Sequence, residues 1–576
     1  MYQSFTIYKD HMNKRWILWL VTVLLLAGCK EVVKDGKSTI STLAPPTSGT
    51  GAVTQVAING GSTFTHTQEI GTTKSDVFFI YTNPSSSQLA LPSFSSLANQ
   101  ASPAQSALPA APQQSLVTFA KSSGIGLRGT QEISEFNTRP PKMIPRRGSA
   151  PKASLKPQFA VVGDSYSFMT LSSSEIVTST LRGVITDGTI TANLWVADDS
   201  WGSCAKTSCL TQAMVDGFGA KFLKAGAGND IYDWVTNIYG LPWGAQSFTN
   251  LIDATAANSI DILFYDISAD NSSNGGVLGF FYAKDNYLIS NASSSNQRLM
   301  FYIDSVLTAT ATGDTWEISD LWPAEMVATL AHEFQHMIHF YQKTVLKDAG
   351  TASSQSWIHE MMSMMTEDLV ADKILADGPR GIAYGDGTSG SAGNNLGRPA
   401  LFNSYGYISQ ATWANDNLVL ARYAINYSFG AWLSRNYGGV LLAQQLIKSD
   451  TDDLNGLIAA LAALGYTVTY DELLQQFWAA VVLSDLKTNV SPFMMNSGAY
   501  FTSTLNSIDY NLGSLNFYNY NLGPQVYSST GLSSSLSTML PYSGIITQAG
   551  SNVSGTLSST VTMPRGVNMT VVVKPH

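Results

Sequence analysis

The chain is 576 residues long, more than one hydrophobic core usually serves, so a large domain with smaller companions is expected. Charged residues make up only 13% and the formal net charge is −9; with neither a basic cluster nor an acidic tail, this excludes a nucleic-acid partner. Ser, Thr, Gly, Asn and Tyr fill the polar positions instead, a composition suited to an exported protein.

The first residues read as a targeting segment: Lys14 and Arg15, an apolar run over 16–26, then Leu26-Ala27-Gly28-Cys29, which spells a lipobox. The apolar run is about a dozen residues, short of the ~20 that cross a bilayer. Residues 1–28 are therefore expected to be a lipoprotein signal peptide, with Met12 an alternative start, and Cys29 to carry the diacylglycerol that anchors the chain to a membrane. This places the protein in a bacterial cell envelope, facing outward. Cys204 and Cys209, in SWGSCAKTSC, then remain as a pair for a local disulfide.

A Ser/Thr/Pro/Gly-rich tether is expected over 29–55, then a β-rich segment over 56–157 with strands at 57–58 and 76–81, interrupted by a Ser/Ala/Pro tract and a Pro/Lys/Arg run. From 158 the pattern tightens. Strands are expected at 166–171, 176–185, 191–197, 260–265, 277–282 and 298–303, with helices at 212–223 and 230–239. Helices follow at 323–341, 356–375, 418–436, 440–447, 454–464 and 470–483, and residues 491–576 read as a C-terminal β module with strands at 555–563 and 568–573.

The chemistry concentrates in Ala331-His332-Glu333-Phe334-Gln335-His336, an HExxH motif on a segment of helical periodicity. On a helix, His332 and His336 stand one turn apart on one face, suited to share a Zn²⁺, with Glu333 beside it to take a proton. A catalytic site needs a third ligand and an open position for water. His339 lies ~10 Å further along the axis from His332, too far to share the ion easily. Glu360 sits on the next expected helix, 24 residues beyond His336, leaving room for a return. His359 competes with it, because neighbours on a helix diverge by ~100° and only one can face the metal; spacing does not settle which. The metzincin pattern is excluded, since it requires Gly where His339 stands and His where Gln342 stands. A chance match is disfavoured because four of the seven histidines fall between His332 and His359.

LAHEFQHMIHF followed by WIHEMMSMMTEDL resembles the hyicolysin family of secreted zinc metallopeptidases, and NLWVADDSW, DILFYDI, GFFYAKD and RLMFYIDS resemble the strands that precede the zinc helix there. The likeness covers roughly 159–486. It implies His332, His336 and Glu360 as ligands of one catalytic Zn²⁺, Glu360 standing in a W-x-x-E context with Trp357, and Glu333 as the catalytic acid/base. His359 departs from the family, where Asn is expected. The fold implied is α+β: a zincin-type metallopeptidase domain over 158–490, with an N-terminal β-sheet lobe and a mainly helical lobe, flanked by small β modules.

The expected reaction is hydrolysis of peptide bonds in proteins or peptides, with a zinc-activated water and Glu333 as general base. Tyr423 or Tyr427, one turn apart, are candidates to stabilise the oxyanion, or else core tyrosines. Ser363 and Glu367 follow Glu360 at helical spacing and either orient a ligand histidine or belong to a solvated face. Met361, Met362, Met364 and Met365 read as gap-filling core, and residues 266–271 as a turn in preference to a Ca²⁺ loop. The competing functions are a surface binding or adhesion lipoprotein that retains a peptidase fold, and a zinc hydrolase acting on a non-peptide substrate.

Overall fold

The computed structural model describes residues 39–42, 52–57, 61–96, 126–146, 161–348, 354–414, 416–528 and 531–576. The expected signal peptide, residues 1–28, and Cys29 lie outside the described residues. In chain order the strands are β1 Thr39–Thr42, β2 Ala52–Ala57, β3 Ser62–Asn83, β4 Ser93–Ser96, β5 Leu127–Arg128, β6 Ser165–Met169, β7 Ile176–Thr186, β8 Thr191–Ala197, β9 Ser259–Tyr265, β10 Val277–Phe281 and β11 Met300–Asp304. They continue with β12 Phe501–Leu505, β13 Ile508–Leu512, β14 Val526–Tyr527, β15 Ser543–Met563 and β16 Asn568–Pro575. The helices are α1 Gln131–Thr138, α2 Gln212–Phe222, α3 Ile231–Tyr239, α4 Ser305–Thr308, α5 Leu321–His339, α6 Ser356–Ile374, α7 Arg398–Tyr405, α8 Val419–Asn436, α9 Val440–Lys448, α10 Leu454–Ala463 and α11 Tyr470–Val482. No helix among the described residues is long and apolar enough to cross a membrane.

The fold is mixed α+β. Its central sheet runs β5-β10-β11-β9-β8-β7-β6. β8, β9 and β11 are mutually parallel and almost wholly buried, which is why they read as continuous apolar runs. β10 turns antiparallel to β11 and is continued outward only by the short β5, parallel to it at Val277 and Gly279. α5 packs across β10 and β11 and against α6, and α6 packs against α8. That last approach needs a glycine: a Cβ at Gly430 would stand 2.8 Å from Met361 Cγ and 2.9 Å from Met365 Cγ. The four methionines of α6 are fully buried, filling the space between helices.

The flanking segments differ from expectation. The strands near the two ends of the chain, expected as separate pieces over 56–157 and 491–576, pair in one sheet of order β1-β2-β16-β3-β15-β14, with β4 on β15. β3 runs against β15 from Asn83↔Ser543 to Ser62↔Met563, and β16 lies between β2 and β3. Two strands fall inside the expected tether, where β-branched residues in TIST and AVTQVA find these partners. One face of the sheet closes a core of Val77, Phe79, Tyr81, Val561, Met569 and Val571, and the other brings Phe78, Ile80 and Val572 onto the main core. The disulfide expected between Cys204 and Cys209 is formed. The 266–271 segment is a turn: Asp266 accepts from Asn271 N at 3.0 Å and pairs with Lys206 at 2.7 Å.

Candidate metal centre

From Met326 to Phe334 every side chain of α5 is buried, and a polar group in such a setting costs roughly 2–7 kcal/mol unless partnered. His332 and His336 face each other one turn apart, their Nε2 atoms 3.1 Å apart. Glu360 reaches in from α6, its Oε2 3.2 Å from His332 Nε2 and 3.6 Å from His336 Nε2. Three donors bound tetrahedrally to one ion at ~2.0–2.1 Å would stand ~3.3–3.4 Å apart, so this triangle has the dimensions of a cation site. Next along α6, His359 turns elsewhere and meets Ser354 and Asp452; the divergence of helical neighbours thus puts Glu360, and not His359, with the histidine pair.

Both residues suggested to orient a ligand lie behind the triangle. Glu367 Oε1 is 2.6 Å from His332 Nδ1; accepting that N–H leaves a lone pair on Nε2, directed at the site. Ser363 Oγ donates to Gln335 Oε1 at 2.5 Å and lies 3.3 Å from both ring nitrogens of His336, so it borders the ring without selecting one of them. Glu333 Oε2 accepts from Phe281 N at 2.8 Å, while its buried Oε1 has no partner.

Charged groups are concentrated around the site. Glu325, Glu333 and Glu367 gather around two buried guanidiniums, Arg128 and Arg398, and Glu360 faces the two histidines, a donor set that a divalent cation would fit. Burial alone would lower the His332 pKa, but hydrogen bonds to Glu360 and Glu367, with the charges of Glu333 and Glu367, push it up to about 9. Burial raises Glu360, and His336 and His332 outweigh it, holding the carboxyl at about 2. Glu333 has less help and burial keeps it above the usual carboxylate range.

A second buried group sits alongside. His339 Nε2 lies 3.0 Å and His359 Nε2 3.6 Å from Asp452 Oδ2. Lys343 holds Asp452's other oxygen at 2.9 Å, so its ammonium already balances the carboxylate and would repel a metal cation. The two candidate tyrosines separate. Tyr423 lies close enough for Glu360 and Glu333 to act on it, but its hydroxyl donates to Arg128 O at 2.9 Å and accepts from Arg128 N at 3.3 Å. Tyr427 points away and donates to Asp368 at 3.3 Å.

Arg128 and α1 escape the sequence reading, which assigns no element between the Ser/Ala/Pro tract and the Pro/Lys/Arg run of its β-rich segment. Arg128 lies 3.2 Å from Glu325 and 3.8 Å from Glu367. The available signal was local: Ile133 and Phe136 at helical spacing, with Pro140-Pro141 as a stop.

Comparison with known proteins gives the chain's relatives. The neutral metalloprotease ShpI of Staphylococcus hyicus is 28% identical over 194 residues, covering 34% of this chain and 39% of that protein's own length. The family model described as Peptidase M30 matches residues 173–574, well over half the chain and inclusive of α5, α6 and α8. The chain belongs to the peptidase M30 family.

Proposed function

We propose that this protein is an extracytoplasmic zinc endopeptidase, anchored through a lipid on Cys29, that hydrolyses peptide bonds in proteins or peptides. The observation that carries this reading is the triangle of His332 Nε2, His336 Nε2 and Glu360 Oε2, with sides of 3.1 to 3.6 Å, in a chain of a peptidase family. His332, His336 and Glu360 hold the ion, Glu367 fixes the His332 ring and Ser363 borders that of His336. When bound, Zn²⁺ supplies a Lewis acid that polarises the scissile carbonyl and acidifies water at its open corner.

Glu333 is the general base. Its Oε2 is held by the Phe281 amide, which leaves Oε1 to accept a proton from the attacking water and deliver it to the departing amine. Burial raises its proton affinity, which strengthens it as the base that accepts the water proton. In the test, Glu333→Gln is purified beside the parent protein and each is assayed for zinc content and for cleavage of casein and a peptide library. The expected result is full zinc and a loss of about 10²–10⁴ in kcat; cleavage that survives the substitution overturns the reading.

A further inference from the structure

The pocket beside Glu333, His336 and Glu360 is narrow and only partly open to solvent. The wall that narrows it is α1, through Ile133, Ser134, Asn137 and Thr138. Asn137 does more than fill the gap. Its Nδ2 donates to Phe281 O at 2.7 Å and its Oδ1 accepts from Ala283 N at 2.8 Å, the pair of bonds that an extended chain makes when it adds to a strand edge. β5 pairs with β10 only at Val277 and Gly279, so Asn137 occupies the backbone groups nearest the metal site.

α1 lies between two fixed segments, Arg128 before it and residues 141–146 after it, where Tyr287 donates to Pro141 O, Asn250 bonds Lys142 and Ile144, and Met143 enters the main core. Arg128 is wholly buried among carboxylates and its backbone holds Tyr423. Gly129 follows with φ +84°, a conformation that favours glycine and makes it a natural pivot. Beyond it, α1 is held by the Asn137 pair, by Ser134 Oγ to Ser356 Oγ at 2.9 Å, by Ser354 N donating to Thr138 O at 3.4 Å, by Tyr282 OH donating to Glu132 at 3.4 Å, by Phe136 edge-on to Tyr282 and Tyr287, and by the buried Ile133. All of it precedes residue 173, where the family match begins.

We propose that α1 is a built-in cover of the substrate cleft: Asn137 takes the place of a substrate peptide group on β10, and turnover requires α1 to lift as a flap between Gly129 and Arg139 while Arg128 and the segment from Pro141 stay fixed. This rests on the peptidase reading of the site. It accounts for a pocket over the histidine pair that is narrowed by an element outside the family's matched span.

The test locks the cover. In the zinc-loaded full chain, Ser134→Cys with Ser356→Cys places thiols where two hydroxyls stand 2.9 Å apart, and loss of both free thiols reports closure. Two readouts are taken, oxidised and mildly reduced, beside the parent protein: cleavage of a peptide, and affinity for phenyl hydroxamate, a probe that needs only the metal and an open pocket. Oxidation is expected to weaken both at least about tenfold, with zinc content unchanged and reduction restoring both. A locked protein that binds hydroxamate and cleaves as well as its reduced form overturns the proposal. If no form cleaves any peptide although zinc is full, the peptidase reading fails, and the hydroxamate comparison still decides the cover. Asn137→Ala, which needs no bridge, is expected to tighten hydroxamate binding at least about threefold; unchanged or weaker binding counts against the cover.

Discussion

Glu367 Oε1 and His332 Nδ1 lie 2.6 Å apart, and through this contact α6 sets both the ring angle and the tautomer of the first histidine of α5. Outer partners of this kind are worth about 10–100-fold in metal affinity. Glu367→Ala is therefore expected to weaken zinc binding by that order, with Glu367→Gln falling between. Competition with a chromophoric chelator measures it, and parental affinity in the alanine variant would reduce Glu367 to a packing role.

Arg128 supplies the countercharge for the same carboxylate from a segment outside the family match. Its guanidinium has no exposure and faces Glu325 and Glu367, whose charges hold it protonated despite burial. Removing one partner of a buried pair strands the other at a cost of about 3–5 kcal/mol. Arg128→Met is expected to lower the urea midpoint of the metal-free protein accordingly. Arg128→Lys should recover part of the loss. Equal midpoints for Met and parent would place the compensation elsewhere.

The His339–Asp452 contact predicts how the metal-free protein responds to acid. Burial, reinforced by the charge of His359, holds His339 at about 3 against 6.5 for the free side chain. Between those values the unfolded chain binds a proton that the folded one refuses, so this group's contribution to stability falls as pH drops from 6.5 toward 3, by about 1.4 kcal/mol per pH unit for one proton. Glu325, Asp304 and Asp230, raised chiefly by burial to about 7, 8 and 6, take up protons in the folded chain over the same range and act with the opposite sign. The His339 contribution is therefore read as a difference: in denaturant titrations from pH 7 to 4, His339→Asn should gain stability relative to the parent as pH falls. Parallel curves would show that His339 does not refuse its proton.

The metal triangle was legible because its residues lie on two helices, where a fixed rise and turn convert spacing into geometry. Glu360 over His359 was not settled by spacing, since the rotation of α6 about its own axis depends on what the opposite face packs against, here the methionine and Gly430 contact with α8. Tyr423 and Tyr427 look alike on a helical wheel and diverge only because Arg128 claims one hydroxyl and Asp368 the other. Arg128 itself was hidden for another reason: β5 is two residues long and gains its place from pairing with β10, which no local pattern announces. The same holds for β3 and β15, whose alternation marks each as a strand without naming a partner almost 500 positions away.

That long-range pairing gives the remaining prediction. Val571 lies on β16, between β2 and β3, with no exposed surface, and it packs in the core shared by strands from both ends of the chain. Val571→Asp would place an unpaired charge there, which costs several kcal/mol or forces the carboxyl to stay protonated. Because α11 packs on β3, β15 and β16 while α5 and α6 rest on the central sheet and α8, the damage should be confined at first to the terminal sheet. Limited proteolysis is expected to release fragments from residues 52–96 and 543–576 while zinc content holds at the parental level. Simultaneous loss of zinc would mean that the two sheets unfold as one cooperative unit, with α11 transmitting the collapse to the helices around the metal site.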